Sequence, residues 1–185
     1  MKVGIEVQRL FRKKKFGIET SALQLIKKLQ DLSPRAQFIV YATDDRDSEC
    51  LKATANLQIR KLSGKLFFDF EHLLLPLASK QDQLDVLHCT GNTRPYFSSV
   101  PIVQTLHDVI FMDPISSRDS LYQQFGNYYR RLMVPITTRK SQAVITVSNY
   151  EKERILEKIK IDEKKIRVIY NGIDESRFNA QQDPV

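Results

Sequence analysis

Short apolar runs alternate with longer amphipathic runs along nearly the whole chain, and this alternation constrains the fold more than any other feature. The strand-like runs occupy 2–8, 37–43, 57–62, 84–89, 101–108, 142–148 and 165–170. A run as apolar as AVITV, within 142–148, is typical of a parallel strand that is buried on both faces. The alternation therefore predicts an α/β fold: a Rossmann-like three-layer sandwich with a mostly parallel sheet.

Three amphipathic runs have the length of helices, at 18–32, 65–80 and 118–141, and a fourth follows Ser148. In the first run, apolar residues recur at three- and four-residue steps, which builds one apolar face. We expect Pro76 to end or kink the second helix and Pro135 to interrupt the third. The run SNYE at 148–151 has the capping-box pattern that begins a helix.

The size and composition of the chain exclude some classes of protein. Its 185 residues suit one domain with a hydrophobic core, and 42% hydrophobic with 28% charged residues is typical of a globular protein. No apolar run approaches the roughly 20 residues that cross a bilayer, and the start does not resemble a signal peptide, so we expect a cytoplasmic protein. Cys50 and Cys89 lack a metal-type spacing and are interpreted as ordinary thiols.

The net charge of +7 favours phosphate-bearing partners such as nucleotides, nucleic acids or anionic lipids, but a well-solvated surface explains it equally well. Four of the bases lie in a loop at 12–15, which is either a solvated loop or a contact with an anionic substrate or membrane surface. The chain has no recognised nucleic-acid motif and no basic stripe interleaved with aromatic residues. A nucleic-acid partner is therefore disfavoured.

Polar residues follow several predicted strands at the point where each strand ends. In chain order they are Gly17 in the loop after the first strand, the run HCTGN at 88–92, His107 with Asp108, and Ser148. Ligands of open parallel sheets bind beyond the carboxyl ends of the strands. The sequence therefore predicts that these residues share one edge of the sheet.

Each of these residues also has a purely structural explanation. Gly17 precedes a helix whose free N–H groups suit a phosphate, but it equally suits a plain turn, and the loop lacks both common glycine-rich phosphate motifs. His107 can donate a hydrogen bond or exchange a proton near neutral pH, or it can simply close the strand with Asp108. Ser148 is explained by helix capping, and His72, within a helical run, is interpreted as structural. We find no cluster of metal ligands in the sequence.

Five segments resemble the family-four retaining glycosyltransferases of the GT-B fold. They are FGIETSALQLIKKL after the first strand, FEHLLLP at 70–76, HDVIFMDP at 107–114, AVITVSNYEKERI at 143–155 and KIRVIYNGID at 165–174. The resemblance implies an N-terminal, acceptor-side Rossmann-like domain at 1–178, and the start of an interdomain linker at 179–185. It also implies a C-terminal donor-binding domain, which we expect to lie outside these 185 residues, since no pair of glutamates has the E-x-x-x-x-x-x-x-E spacing of that domain.

The resemblance also implies roles for individual residues. The expected catalytic residues beside the donor sugar are His107 and Asp108. The residues expected to bind the donor phosphate or sugar are Gly17, Arg9 and Ser148. The expected acceptor contacts are Asn92, Tyr96 and His88.

The implied reaction transfers a hexose from a nucleoside diphosphate to a hydroxyl group with retention, in polysaccharide, glycan or glycolipid biosynthesis. Neither a cofactor nor a metal is expected, because positive side chains and helix N-termini would stabilise the leaving diphosphate. The expected partners are the nucleotide sugar, a glycan or lipid-linked acceptor, the protein's own C-terminal domain and, peripherally, the inner face of the membrane. These 185 residues alone are expected to be inactive. The alternative is a non-catalytic Rossmann-like module that binds a nucleotide or a phosphorylated partner.

Overall fold

The computed structural model describes residues 1–32, 35–64, 67–113 and 121–172, and within these ranges seven strands form one sheet. The strands are β1 (Lys2–Glu6), β2 (Gln37–Ala42), β3 (Leu57–Lys61), β4 (Val86–Cys89), β5 (Ile102–Thr105), β6 (Ala143–Thr146) and β7 (Ile166–Val168). Their order across the sheet is β3-β2-β1-β4-β5-β6-β7, and every neighbouring pair is parallel. The predicted Rossmann-like α/β class is confirmed.

The helices connect these strands. They are α1 (Gly17–Leu32), α2 (Phe67–Asp69), a π-helical segment (Phe70–Leu74), α3 (Leu75–Gln81), α4 (Leu121–Arg139) and α5 (Asn149–Ile159). Short 3₁₀ turns lie at Ser48–Cys50, Ile110–Met112 and Glu163–Lys165. None of the described helices is long and apolar enough to cross a bilayer.

The apolar residues of the strands divide between the two faces of the sheet. Ile5 and Val40 pack with Ile26 of α1 on one face. Tyr41 and Leu87 pack with Leu75 of α3 on the opposite face. A third cluster joins α4, α5 and the β6–β7 side of the sheet. Side chains that alternate along a strand point to opposite faces, so this near-continuous apolar pattern gives the predicted three layers.

The two prolines act differently from one another. The helical run continues past Pro76. This proline falls in the first turn of α3, where the N–H that it lacks would have no partner within α3, and the turn before it is π-helical. The predicted interruption at Pro135 is wrong, because α4 continues through it from Leu121 to Arg139. Contacts on both sides of the proline secure the helix: Val134 before it is buried, and after it the carbonyl oxygen of Thr137 accepts a hydrogen bond from Nη1 of Arg94 at 3.2 Å.

The predicted cap at Ser148 is confirmed. Ser148 has extended backbone, and its Oγ accepts a hydrogen bond from the backbone N–H of Glu151 at 3.1 Å, so α5 begins at Asn149. The carboxylate of Glu151 instead pairs with Arg154 at 3.5 Å. The predicted linker at 179–185, and the segment 173–178 before it, lie outside the described residues.

Candidate ligand site at the carboxyl ends of the strands

All described strands are parallel, so their carboxyl ends share one edge of the sheet. The connection from β1 leads to β2 on one side, whereas the connection from β4 leads to β5 on the other side. In open parallel sheets the crevice beyond such a reversal is the usual ligand position. Glu6 and Cys89 are paired in register at the ends of these two strands. The loops after β1, β4, β5 and β6 therefore open on one edge, as the sequence predicts.

His107 is held at this edge by two hydrogen bonds. Its backbone N–H donates to Oδ1 of Asn92 at 2.8 Å, and its Nε2 lies 2.9 Å from the carbonyl oxygen of Thr90. A carbonyl oxygen only accepts hydrogen bonds, so Nε2 carries the proton. Nδ1 makes no hydrogen bond within the described part of the chain, and the ring is half-buried. His107 thus has one fixed nitrogen and one nitrogen available to a ligand.

The loop after β4 is the support for His107. The hydroxyl of Thr90 donates to the carbonyl oxygen of Glu6 at 2.8 Å, and Nε2 of Gln104 donates to the carbonyl oxygen of Asn92 at 3.0 Å. The side-chain oxygen of Asn92 is occupied by His107. The role of Asn92 as an acceptor contact stays a prediction. In the structure, hydrogen bonds of Asn92 connect the loop after β4 to Gln104 of β5 and to His107.

Asp108 shapes the next turn of the chain. Its Oδ1 accepts a hydrogen bond from the backbone N–H of Ile110 at 3.1 Å, the pattern of an Asx turn. The 3₁₀ turn Ile110–Met112 follows directly. Asp108 therefore orients the loop that follows β5.

Gly17 is the exposed first residue of α1. No atom lies within 4 Å of the Cβ that another residue would place there, so contacts within the described part of the chain do not require a glycine. The buried carboxylate of Glu19 accepts a hydrogen bond from the backbone N–H of Phe16 at 3.0 Å. This bond satisfies the N–H group of the residue that precedes the helix. Within the described part of the chain, the N–H groups of Gly17 and Ile18 make no hydrogen bond, as is usual in the first turn of a helix.

Glu6 is a residue that the sequence interpretation missed. Its Oε1 accepts a hydrogen bond from the N–H of Gln8 at 2.8 Å. Burial, reinforced by the negative charge of Glu71, raises the pKa of Glu6 to about 7, although the nearby Arg9 and the N–H of Gln8 act against this rise. The charge of Arg9 is therefore near the end of β1, and its role in binding the donor stays a prediction. The sequence feature that could have identified Glu6 is its position as the acidic residue at the end of the apolar run KVGIE.

Glu71 is a second residue that was missed. It is buried and accepts hydrogen bonds from the hydroxyl groups of Thr93 and Tyr129, the latter at 2.7 Å. Nε2 of His72 lies 2.7 Å from the hydroxyl of Tyr129, and Nδ1 of His72 accepts from the N–H of Tyr96. These contacts are consistent with the structural role predicted for His72, and they connect the π-helical segment to the loop that supports His107.

The other two predicted acceptor contacts, His88 and Tyr96, have interaction partners of their own. Nε2 of His88 is 2.8 Å from the hydroxyl of Thr105, and burial, with a smaller effect of the charge on His107, lowers the pKa of His88 to about 4. The ring of Tyr96 lies 3.5 Å beneath Nζ of Lys140. Lys140 follows α4 and precedes β6, so this ring lies towards the opposite edge of the sheet from His107.

The basic loop divides into two parts. Lys15 pairs with Asp47 and donates to the carbonyl oxygen of Arg12 at 3.1 Å, so it stabilises the loop. Lys13 and Lys14 are exposed.

The two cysteines are protonated near neutral pH. Cys89 is fully buried, and burial raises the pKa of both thiols.

Comparisons with known proteins agree with this architecture. The sequence profile described as Glycosyltransferase Family 4 matches residues 17–177. A glycosyltransferase from Rickettsia africae ESF-5 is similar over 99% of this chain and 46% of its own, with 19% identity and a TM-score of 0.56. Anabaena Alr3699/HepE in complex with UDP-glucose is similar over 95% and 45%, with 17% identity and a TM-score of 0.59. The lipopolysaccharide outer core galactosyltransferase WaaB is similar over 94% and 46%, with 15% identity and a TM-score of 0.58.

The chain therefore spans less than half the length of each of these solved structures. At such identities the likeness establishes the fold. No curated protein sequence gives a significant match.

Proposed function

Because this chain belongs to Glycosyltransferase Family 4, we propose that it provides the acceptor-side domain of an enzyme that transfers a hexose from a nucleoside diphosphate to a hydroxyl group, with retention at the anomeric carbon. The single observation that carries this proposal is the geometry of His107. Its Nε2 is fixed on the carbonyl oxygen of Thr90 at 2.9 Å at the edge where ligands of parallel sheets bind.

This geometry suits a polar contact with the reacting sugar. The neutral ring accepts a hydrogen bond at Nδ1 from a sugar or acceptor hydroxyl, and the protonated ring donates one to a sugar oxygen. Because Nε2 is already bonded, the ring is held in one orientation before the ligand arrives. A contact that needs no reorganisation is the kind that lowers a reaction barrier.

The leaving diphosphate needs positive potential. We propose that Arg9 and the N-terminal N–H groups of α1 supply it, with the capped start of α5 at Ser148 on the same edge. Such groups stabilise the charge without a bound metal. The donor is a substrate, and no separate cofactor is part of this proposal.

The proposed setting is the synthesis of a polysaccharide, glycan or glycolipid on the cytoplasmic side of a membrane. Glycan or lipid-linked hydroxyls are the proposed acceptors, and the protein's own C-terminal domain is the proposed partner that holds the nucleotide. UDP-sugars are the first donors to test, since UDP and UDP-glucose occupy the similar Anabaena structures.

The proposal is tested by donor screening on the full-length protein, with released nucleoside diphosphate and transferred sugar both measured. His107→Ala should lower kcat/KM by about 10² to 10⁴-fold, the usual range for a positioned acid–base group. Ile110→Ala, at an exposed residue close by in the chain, is the matched control and should retain activity. Full activity in a folded His107→Ala protein would contradict the assigned role.

The same assay separates transfer from binding. Donor binding with no transfer to any acceptor would favour the non-catalytic nucleotide-binding module. We expect the 185 residues, assayed alone, to show no turnover, because the proposed nucleotide-holding half is absent from that sample. Turnover near that of the full-length protein would contradict this expectation.

A further inference from the structure

The outer face of α4 carries a row of exposed apolar side chains. Phe125, Tyr128 and Leu132 are 61%, 62% and 65% exposed, and Ile136 is 37% exposed. Their spacing of three, four and four residues places all four on one side of the helix. We call Phe125, Tyr128, Leu132 and Ile136 the α4 stripe. It extends about 16 Å along the helix axis at 1.5 Å per residue.

The α4 stripe continues onto neighbouring elements at both ends. At the N-terminal end, the ring of Phe125 lies 6.4 Å from that of Phe68, which is itself 38% exposed. At the C-terminal end, Nζ of Lys140 lies over the rings of Tyr96 and Phe97, and Phe97 is strongly exposed. The apolar surface therefore ends in a lysine that is packed on aromatic rings.

The charge along this helix has one sign. Residues 121–140 contain no aspartate or glutamate, but they contain four bases: Arg130, Arg131, Arg139 and Lys140. Arg139 and Lys140 have exposed surface at the end of the α4 stripe, and the guanidinium of Arg139 also donates to the carbonyl oxygen of Ile159. A helix face with Phe, Tyr, Leu and Ile beside exposed bases matches the surface that lies in the interface of a bilayer. The long side chain of Lys140 can reach the headgroups while its stem remains on the hydrocarbon.

We propose that the α4 stripe docks this protein onto a membrane surface that contains anionic lipid. Charge complementarity favours this occupant over a second copy of the chain, since two such faces would bring like charges together. The apolar row favours a bilayer over a nucleic acid, which offers phosphate but no hydrocarbon. The inference does not depend on the proposed sugar transfer, because it rests on the surface of α4 and on none of the residues at the carboxyl edge of the sheet.

The surface differs from the basic loop that the sequence singled out. Lys15 of that loop is engaged with Asp47, and only Lys13 and Lys14 are left exposed beside Phe16. A variant of the loop and a variant of the α4 stripe therefore report on different surfaces.

Co-sedimentation of the protein with vesicles tests the proposal. Vesicles of phosphatidylcholine alone are compared with vesicles that contain phosphatidylglycerol, at low and high salt. We expect binding to the anionic vesicles, weakened by salt because headgroup attraction is screened. Leu132→Asp should weaken this binding by about tenfold or more, since a buried leucine contributes that much or more in transfer. Ile169→Asp, which changes another exposed aliphatic residue at the end of β7, should bind like the wild type.

A fluorescence measurement tests the same contact with a variant that still binds the vesicles. The 185 residues contain no tryptophan, so Leu132→Trp introduces a single fluorescent reporter on the α4 stripe. Its emission should shift to shorter wavelength when anionic vesicles are added, whereas the emission of Ile169→Trp should not. Both variants change exposed positions and should keep the circular dichroism of the wild type.

Three outcomes would overturn the proposal. The first is wild-type protein that does not bind anionic vesicles, and the second is an unchanged affinity in Leu132→Asp. The third is a concentration-dependent dimer that Leu132→Asp dissociates while vesicle binding persists, which would assign the face to a second copy.

Discussion

Nε2 of His107 and the carbonyl oxygen of Thr90 lie 2.9 Å apart, and this contact joins the carboxyl ends of two neighbouring strands. Thr90 is in turn bonded to the carbonyl oxygen of Glu6, the last residue of β1. The orientation of the histidine thus depends on three strand ends, β1, β4 and β5. A side chain supported in this way is preorganised, since its position does not depend on the ligand.

The bond from His107 to Asn92 predicts a specific stability effect. Asn92→Ala removes the oxygen that accepts from the backbone N–H of His107, and should lower the free energy of unfolding by about 1–2 kcal/mol. Asn92→Asp keeps an acceptor oxygen in the same place and should cost clearly less. Urea unfolding of the three proteins measures the difference, and equal losses in both variants would show that the hydrogen bond is not the cause.

Gly17 can be tested for a role beyond the fold. Gly17→Ala should raise the free energy of unfolding by about 0.4–1 kcal/mol, because the added methyl group meets no atom within 4 Å and restricts the unfolded chain. If a donor phosphate approaches the start of α1 closely, the same change should raise KM for the donor in the full-length enzyme. Gly126→Ala, within α4, is the control, since it should stabilise the helix without any effect on KM. A KM unchanged by Gly17→Ala would leave the turn as the only role of this glycine.

The sheet was predictable from the sequence because its strands are buried on both faces and are therefore almost uniformly apolar, as in QFIVYA and AVIT. The common edge followed from parallel topology alone. The helix through Pro135 was not predictable, because the contacts that secure it come from Arg94, far away in the sequence. The same limit applies to the site: the His107–Thr90 bond depends on the register of β4 with β5, which no local pattern encodes.

Glu71 and Tyr129 show the same dependence on tertiary contacts, and their bond can be measured. Tyr129→Phe removes the hydroxyl that donates to Glu71 at 2.7 Å, and should lower the free energy of unfolding by about 1–3 kcal/mol, since a buried carboxylate loses a partner. Tyr128→Phe is the matched control, because that neighbouring ring is 62% exposed, and it should be neutral.

A double-mutant cycle with Glu71→Gln isolates the pair from the rest of its network. The coupling free energy should be about 1 kcal/mol, as expected for residues in direct contact. Additive losses in the double variant would mean that Tyr129 contributes through its ring, which packs 4.9 Å from that of Phe68, and not through its hydroxyl.

Glu6 and His88 should affect stability in opposite directions over the same pH range. Burial raises the pKa of Glu6 from 4.5 to about 7, so the folded protein keeps a proton that the unfolded chain has released. The contribution of Glu6 to stability therefore falls as the pH rises from about 4.5 to about 7. Burial lowers the pKa of His88 from 6.5 to about 4, so its contribution falls as the pH drops through that range.

Each effect is on the order of 3 kcal/mol across its full range, so the two nearly cancel in the wild type between pH 4.5 and 6.5, where the ranges overlap. Glu6→Gln should expose the effect of His88, and the stability of that variant should rise with pH from 4.5 to 6.5. His88→Gln should do the reverse, and its stability should fall from pH 4.5 to 7 because Glu6 must then ionise while buried. Urea unfolding at four pH values between 4.5 and 7.5 separates the two slopes. If all three proteins gave parallel curves, neither group would be buried strongly enough to shift its pKa, and Glu6 would not be a partly protonated acid in the crevice at neutral pH.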